Sequence, residues 1–205
     1  MVGPYEGVTV VDTTGLTGAY ATRLFAGLGA EVIHLEPPQG SALRRLTPFV
    51  ESVDPPENSL WWNYLAMGTR SVVIEPEDTE SLERLISQAD VVFEDQLPEH
   101  SGIPSEIIGS STIRTRILPF GLTGPKRGWK SSNLVAWAGS GILYTTGFVD
   151  RPPVAPAAPV QLACHAAGAS ALVGTLLALR SRRLSGVVQN VEISMQEAAL
   201  TIAPE

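Results

Sequence analysis

Pro159–Glu192 reads PVQLACHAAGASALVGTLLALRSRRLSGVVQNVE, and its pattern decides the fold. Small residues crowd the start of a helix: Ala163, Ala166, Ala167, Gly168, Ala169, Ser170 and Ala171. Leu172, Leu176 and Leu179 follow at helical spacing. Arg180, Arg182 and Arg183 close the run where cations suit the negative end of a helix dipole. Ser185-Gly186 is a stop signal, and Val187 to Ile193 then alternates like a strand.

Upstream, the same alternation of strand and helix repeats. Gly7 to Asp12 (GVTVVD) is an apolar run suited to a buried strand. Ala19 to Leu28 is a helix, Gly29 caps it, and Glu31 to Glu36 (EVIHLE) is a second strand. Together they make a βαβ unit with a right-handed crossover. Pro37 to Pro56 is a polar, Pro-rich loop. Leu60 to Ala66 reads as a short helix, Ser71 to Ile74 as a strand, Glu75 to Ala89 as a helix and Val91 to Glu94 as a strand. Ser105 to Gly109 is a short, weak element. Thr112 to Leu118 is a further strand, and Ser131 to Tyr144 a helix interrupted by glycines. Such alternation predicts one α/β unit over residues 1–205, an open, mostly parallel, Rossmann-like sheet with helices on both faces.

Composition narrows the function classes. The chain has 205 residues, 44% hydrophobic and 17% charged, with a mean hydropathy of +0.13. A net charge of −7 argues against a nucleic-acid partner. No run of about 18 apolar residues lacks charge and glycine punctuation, so no membrane span is expected. One cysteine and the absence of a secretory pattern in MVGPYEGVTVVD lead to the expectation of a cytoplasmic protein. Cys164, His34, His100 and His165 are too scattered for a structural zinc site, so no metal is expected. The first βαβ lacks G-x-G-x-x-G: its glycines are Gly15, Gly18, Gly27 and Gly29. Glu36 ends the second strand as a ribose-binding acid would, but the glycine pattern does not favour a nicotinamide cofactor.

Five stretches in order resemble the family III CoA-transferases, the family of formyl-CoA and carnitine-CoA transferases and α-methylacyl-CoA racemase. They are Val10–Arg45, with Leu28-Gly29-Ala30-Glu31-Val32-Ile33 and Glu36 its most specific part; Asn63–Glu75; Ala89–Glu99; Leu118–Val154, with its FGLTGP turn; and the opening stretch through Val191-Glu192-Ile193-Ser194. The resemblance implies a transfer of CoA from an acyl-CoA to a carboxylic acid. In it an aspartate attacks the thioester, and a mixed anhydride and an aspartyl-CoA thioester follow. It also implies a CoA or acyl-CoA substrate rather than a bound cofactor.

The same resemblance marks departures. Counting back from Gly174 and Gly168, the aspartate's place is filled by Cys164. A thiolate attacking a thioester yields only another thioester, and adjacent His165 points elsewhere on a helix. Cys164 is therefore read as a small buried hydrophobe and His165 as a cap or surface residue. The racemase histidine has no counterpart near Ser132-Asn133, and Asn133 stands where many members have an acid. The implied CoA-binding candidates are Arg44, Arg70 and Lys130, with Gly124 shaping the TGP turn. Thr69 replaces a basic residue, and Glu94-Asp95-Gln96-Leu97-Pro98-Glu99 loses an asparagine and an arginine while gaining acid. Family members run to about twice this length, so the expectation is the first half of their architecture, without the small domain and return segment. Three readings stay open: a CoA-transferase half, either a fragment of a longer chain or completed by a homo-oligomer or complementary CoA-transferase chain; a catalytically silent acyl-CoA-binding or scaffold homologue; and a nicotinamide enzyme.

Overall fold

The computed structural model describes residues 3–154 and 161–202. Its centre is a wholly parallel sheet of six strands: β1 (Thr9–Asp12), β2 (Glu31–Glu36), β3 (Arg70–Val73), β4 (Val91–Glu94), β5 (Ile113–Leu118) and β6 (Val191–Ser194). The spatial order is β3-β2-β1-β4-β5-β6. Val10 lies between Val32 and Val91, and Val11 between Ile33 and Val92. The chain thus starts in the middle, winds outward to β3, then returns to the middle and winds out to β6.

Side chains alternate across this sheet, and helices cover both faces. Val10, Val32, Val91, Phe93, Ile113 and Ile117 face α1 (Ala19–Gly27), α4 (Asn133–Gly139), α6 (Leu162–Ser185) and α7 (Met195–Leu200). Val11 and Val92 face the other way, onto Ile86 of α3 (Thr79–Ser87), Ala89 and Ile103. The short α2 (Leu60–Leu65) closes a third cluster, with Trp62 and Leu65 against Ala19 and Leu43.

The small residues of α6 set how closely it packs. An ideal Cβ on Gly168 would sit 3.0 Å from the Ala21 nitrogen and 3.0 Å from the Tyr20 Cβ, so at the crossing of α6 over α1 a larger side chain would press on α1. A Cβ on Gly174 would meet the Val191 side chain at 2.8 Å. Buried Thr175 shares a 2.7 Å hydroxyl contact with Thr115 of β5. Gly186, at φ +71°, ends the helix in the left-handed conformation. Arg182 does more than suit the dipole: it pairs with Asp90 at 2.7 Å and donates to the Ser111 carbonyl at 2.7 Å, tying the helix end to the amino edge of the sheet. By length and composition α6, with a mean hydropathy of 1.7 over its most apolar window, would suffice to cross a membrane. Its packing on β5, β6, α1 and α7 accounts for one face of it, whereas Val173, Leu177 and Leu184 on the other stay exposed.

Several expected boundaries moved. The interrupted helix is two helices, α4 and α5 (Ile142–Thr145), broken where Gly141 takes φ +83°. The last strand begins at Val191 rather than Val187, and the third helix at Thr79 rather than Glu75. Ser105–Ile107 is a single 3-10 turn, and another, Ala42–Arg45, punctuates the loop expected to be irregular. The sequence pattern did not signal α7. Of the Pro-rich approach to α6, Pro159 and residues 155–158 lie outside the described residues.

Candidate active site

The strand order reverses direction between β1 and β4, and loops after those two strands leave the sheet toward opposite faces. That divergence opens a crevice at the carboxyl edge, where ligands of open α/β sheets bind. Hydrogen bonds fix its floor. Thr13 donates its N–H (3.1 Å) and its hydroxyl (2.8 Å) to the Phe93 carbonyl. Buried Asp12 accepts from the Thr14 N–H (2.8 Å), the Thr14 hydroxyl (2.6 Å) and the Thr22 hydroxyl (2.8 Å), and its Oδ2 lies 3.0 Å from His34 Nδ1. Gly15 donates its N–H to Asp95 Oδ2 at 2.9 Å.

A cavity of about 640 Å³ lies in this crevice, with Thr17, Asp95, Ser132, Asn133, Cys164 and Met195 on its walls. The Ser132 side chain caps α4 by accepting from the Val135 N–H, and Asn133 Oδ1 accepts from the Ala163 N–H at 2.9 Å, which joins the start of α4 to the first turn of α6. Cys164 is thereby brought to the cavity beside β4 and β5. Burial, with a smaller contribution from the Asp95 charge, pushes its thiol up to about 12, so at neutral pH it is a thiol and not a thiolate. Burial likewise raises the Asp95 carboxyl above its ordinary value, and the Asp12 charge adds to it.

A larger cavity of about 900 Å³ lies at the opposite, amino edge, between Tyr5 and the end of α6 at Leu176, Arg180 and Leu184. The loops that follow parallel strands do not reach it, so the carboxyl-edge cavity is the better candidate despite its smaller size.

The sequence candidates scatter. Arg44 is engaged: it grips Glu36 with Nε (2.7 Å) and Nη2 (2.6 Å), pairs with Glu57 at 2.5 Å and lies over the Trp62 ring at 3.6 Å. Arg70 opens the exposed edge strand β3 and pairs with Glu31 at 2.6 Å. Lys130 is exposed and directly precedes Ser131 and Ser132 of the cavity wall. Gly124 sits at φ +85° in an exposed turn with open space around it. His165 turns away from Cys164, its ring 4.6 Å from Tyr20 and near Trp61 and Tyr64. In the sequence Asp95 is one more loop acid. Its signal was its position directly after an all-buried strand, which gains meaning only once β4 is known to neighbour β1. Among the described residues no three His, Cys, Asp or Glu side chains gather as a metal site.

The family model described as CoA-transferase family III matches residues 5–205. The chain is 36% identical over 198 residues to the succinyl-CoA:(R)-benzylsuccinate CoA-transferase subunit BbsE of Thauera aromatica, a match covering 92% of the chain and 48% of that protein. It is 32% identical to the succinyl-CoA–D-citramalate CoA-transferase of Chloroflexus aurantiacus, over 97% of the chain and 51% of the relative. It is 34% identical to a formyl-CoA:oxalate CoA-transferase of Streptomyces avermitilis, over 98% and 50%. Among solved structures, a CAIB/BAIF family protein from Brucella suis superimposes with a TM-score of 0.88 at 25% identity, over 98% of this chain and 56% of that one. A Mycobacterium tuberculosis protein does so with 0.85 at 27%, over 98% and 57%. The chain spans about half the length of the curated relatives it matches.

Proposed function

The chain belongs to CoA-transferase family III, and on that premise we propose that it binds an acyl-CoA at the carboxyl-edge crevice and takes part in moving CoA to a carboxylic acid. The observation that carries this reading is the cavity at the β1/β4 reversal, with Cys164 on its wall in the place where the family resemblance puts its nucleophile. Of the cations considered, Lys130 is best suited to a CoA phosphate, being exposed beside the cavity wall, whereas Arg44 and Arg70 already serve carboxylates. Further polypeptide, whether more of a longer chain, a second copy or a complementary half, completes the acyl pocket in this reading. Support comes from the exposed Val173, Leu177 and Leu184 along α6, apolar surface of the kind that a partner covers.

The test is a calorimetric titration of the chain with CoA and with succinyl-CoA. Binding tighter than about 1 mM, roughly −4 kcal/mol, is expected, weakened by Lys130→Ala. The absence of any binding, alone or with a candidate partner chain, overturns the reading. A second reading, a silent CoA-ester-binding subunit, is favoured by the Cys164 thiol pushed to about 12. It predicts the same binding without acyl transfer.

A further inference from the structure

The cavity at the carboxyl edge is not short of a carboxylate, although Cys164 is not one. Asp95 is the one carboxylate among its described lining residues. It is the first residue after β4, at the reversal of the sheet, and its charge reaches the Cys164 thiol. We propose that Asp95 is the acyl-accepting nucleophile of this chain, acting from the β4 wall of the cavity in place of the group that Cys164 has replaced on the α6 wall. The proposal rests on the acyl-CoA reading of the site.

The geometry gives the two carboxylate oxygens different tasks. Oδ2 is held by the Gly15 N–H at 2.9 Å, which orients the group. Oδ1 accepts a long 3.3 Å contact from the exposed side chain of the neighbouring Gln96, a weak bond to break before it attacks. Burial, which raises the carboxyl, leaves the anion poorly solvated and correspondingly more nucleophilic. Neutral Cys164 across the cavity adds no competing negative charge.

Each step balances without a metal, an oxidant or a proton donor. Asp95 Oδ1 attacks the thioester carbonyl carbon, forming a C–O bond. The C–S bond breaks, and the sulfur departs with its electron pair as CoA thiolate. The thiolate then attacks the aspartyl carbonyl of the mixed anhydride, releasing the donor acid as a carboxylate and leaving Asp95 as a CoA thioester. An acceptor carboxylate repeats the exchange in reverse and restores Asp95.

The plainer role for Asp95 is to anchor the Gly15 turn, and Asp95→Asn separates the two because its amide oxygen still accepts from that N–H. The full chain is incubated with succinyl-CoA, with and without hydroxylamine, and peptides are mapped by mass spectrometry, with CoA binding measured in parallel. The expected result is a hydroxamate at Asp95, its loss to background in Asp95→Asn, and an unfolding temperature close to the parent. CoA binding without modification of Asp95, or acylation found on Cys164 instead, overturns the proposal while leaving the acyl-CoA reading intact. No CoA binding overturns that reading and the proposal with it.

Discussion

Arg44 holds Glu36 through two nitrogens, Nε at 2.7 Å and Nη2 at 2.6 Å, while its guanidinium lies over Trp62. Burial would raise the Glu36 carboxyl, but hydrogen bonds from Arg44, Ser71 and the Ser41 N–H hold it down at about 2. Glu36 is almost fully buried, so removing its partner strands a charge. Arg44→Gln is therefore expected to cost about 3–5 kcal/mol in urea unfolding. Arg44→Lys, which cannot reproduce the two-pronged grip, should also lose stability. A variant that kept its stability and lost CoA affinity would assign Arg44 to the ligand instead.

The Asp12–His34 pair makes stability depend on pH from both sides. Burial alone would lower His34, but the Asp12 charge and hydrogen bond win and raise it above 6.5. Burial alone would raise Asp12, but His34 and Thr14 bring it below 3.8. A raised histidine contributes stability in full below 6.5 and loses it as pH rises through its folded value. A lowered carboxylate contributes above 3.8 and loses that as pH falls through its folded value, and Glu36 does the same between 4.5 and about 2. Unfolding free energy should therefore be higher near about pH 5.5 than about pH 8.5, and His34→Gln should flatten that alkaline decline. An unchanged slope in the variant would remove His34 from the account.

Much of this fold was legible from period alone. The first βαβ unit and β4 fell within a residue or two of expectation because short apolar runs set off by glycines or acids leave little choice of element. The break after α4 depended on Gly141 taking a left-handed conformation, which the glycine suggested but could not fix. The site was far less legible. Arg44 looked like a ligand cation because a basic residue in a loop carries no sign of its partner, and Glu36, eight residues earlier, is buried only through the tertiary fold. Asp95 and Cys164 are 69 positions apart, and only the pairing of β4 with β1 and β5 puts them on one cavity.

The α1–α6 crossing yields a stability test away from the site. The ideal Cβ of Gly168 would lie 3.0 Å from main-chain nitrogen of Ala21, an atom that cannot step aside without moving the helix. Gly168→Val should cost about 1–3 kcal/mol by overpacking. Gly102→Ala, whose Cβ meets nothing within 4 Å, serves as the control and should stay within about 0.5 kcal/mol. Equal effects of the two substitutions would show that close helix approach is not what Gly168 serves.

Cys164 reactivity tests the electrostatics of the cavity directly. Moving a thiol from 9.0 to about 12 lowers the thiolate fraction at neutral pH roughly 1000-fold, since each unit is tenfold. Alkylation of the folded chain by iodoacetamide should be far slower than that of the unfolded chain, because burial also restricts access. Burial is the larger cause of the shift and the Asp95 charge the smaller. Asp95→Asn should therefore speed alkylation while leaving it far below the unfolded rate. If the substitution leaves the rate and its pH dependence untouched, the Asp95 carboxylate does not act on the thiol, and the two groups do not share one cavity in solution.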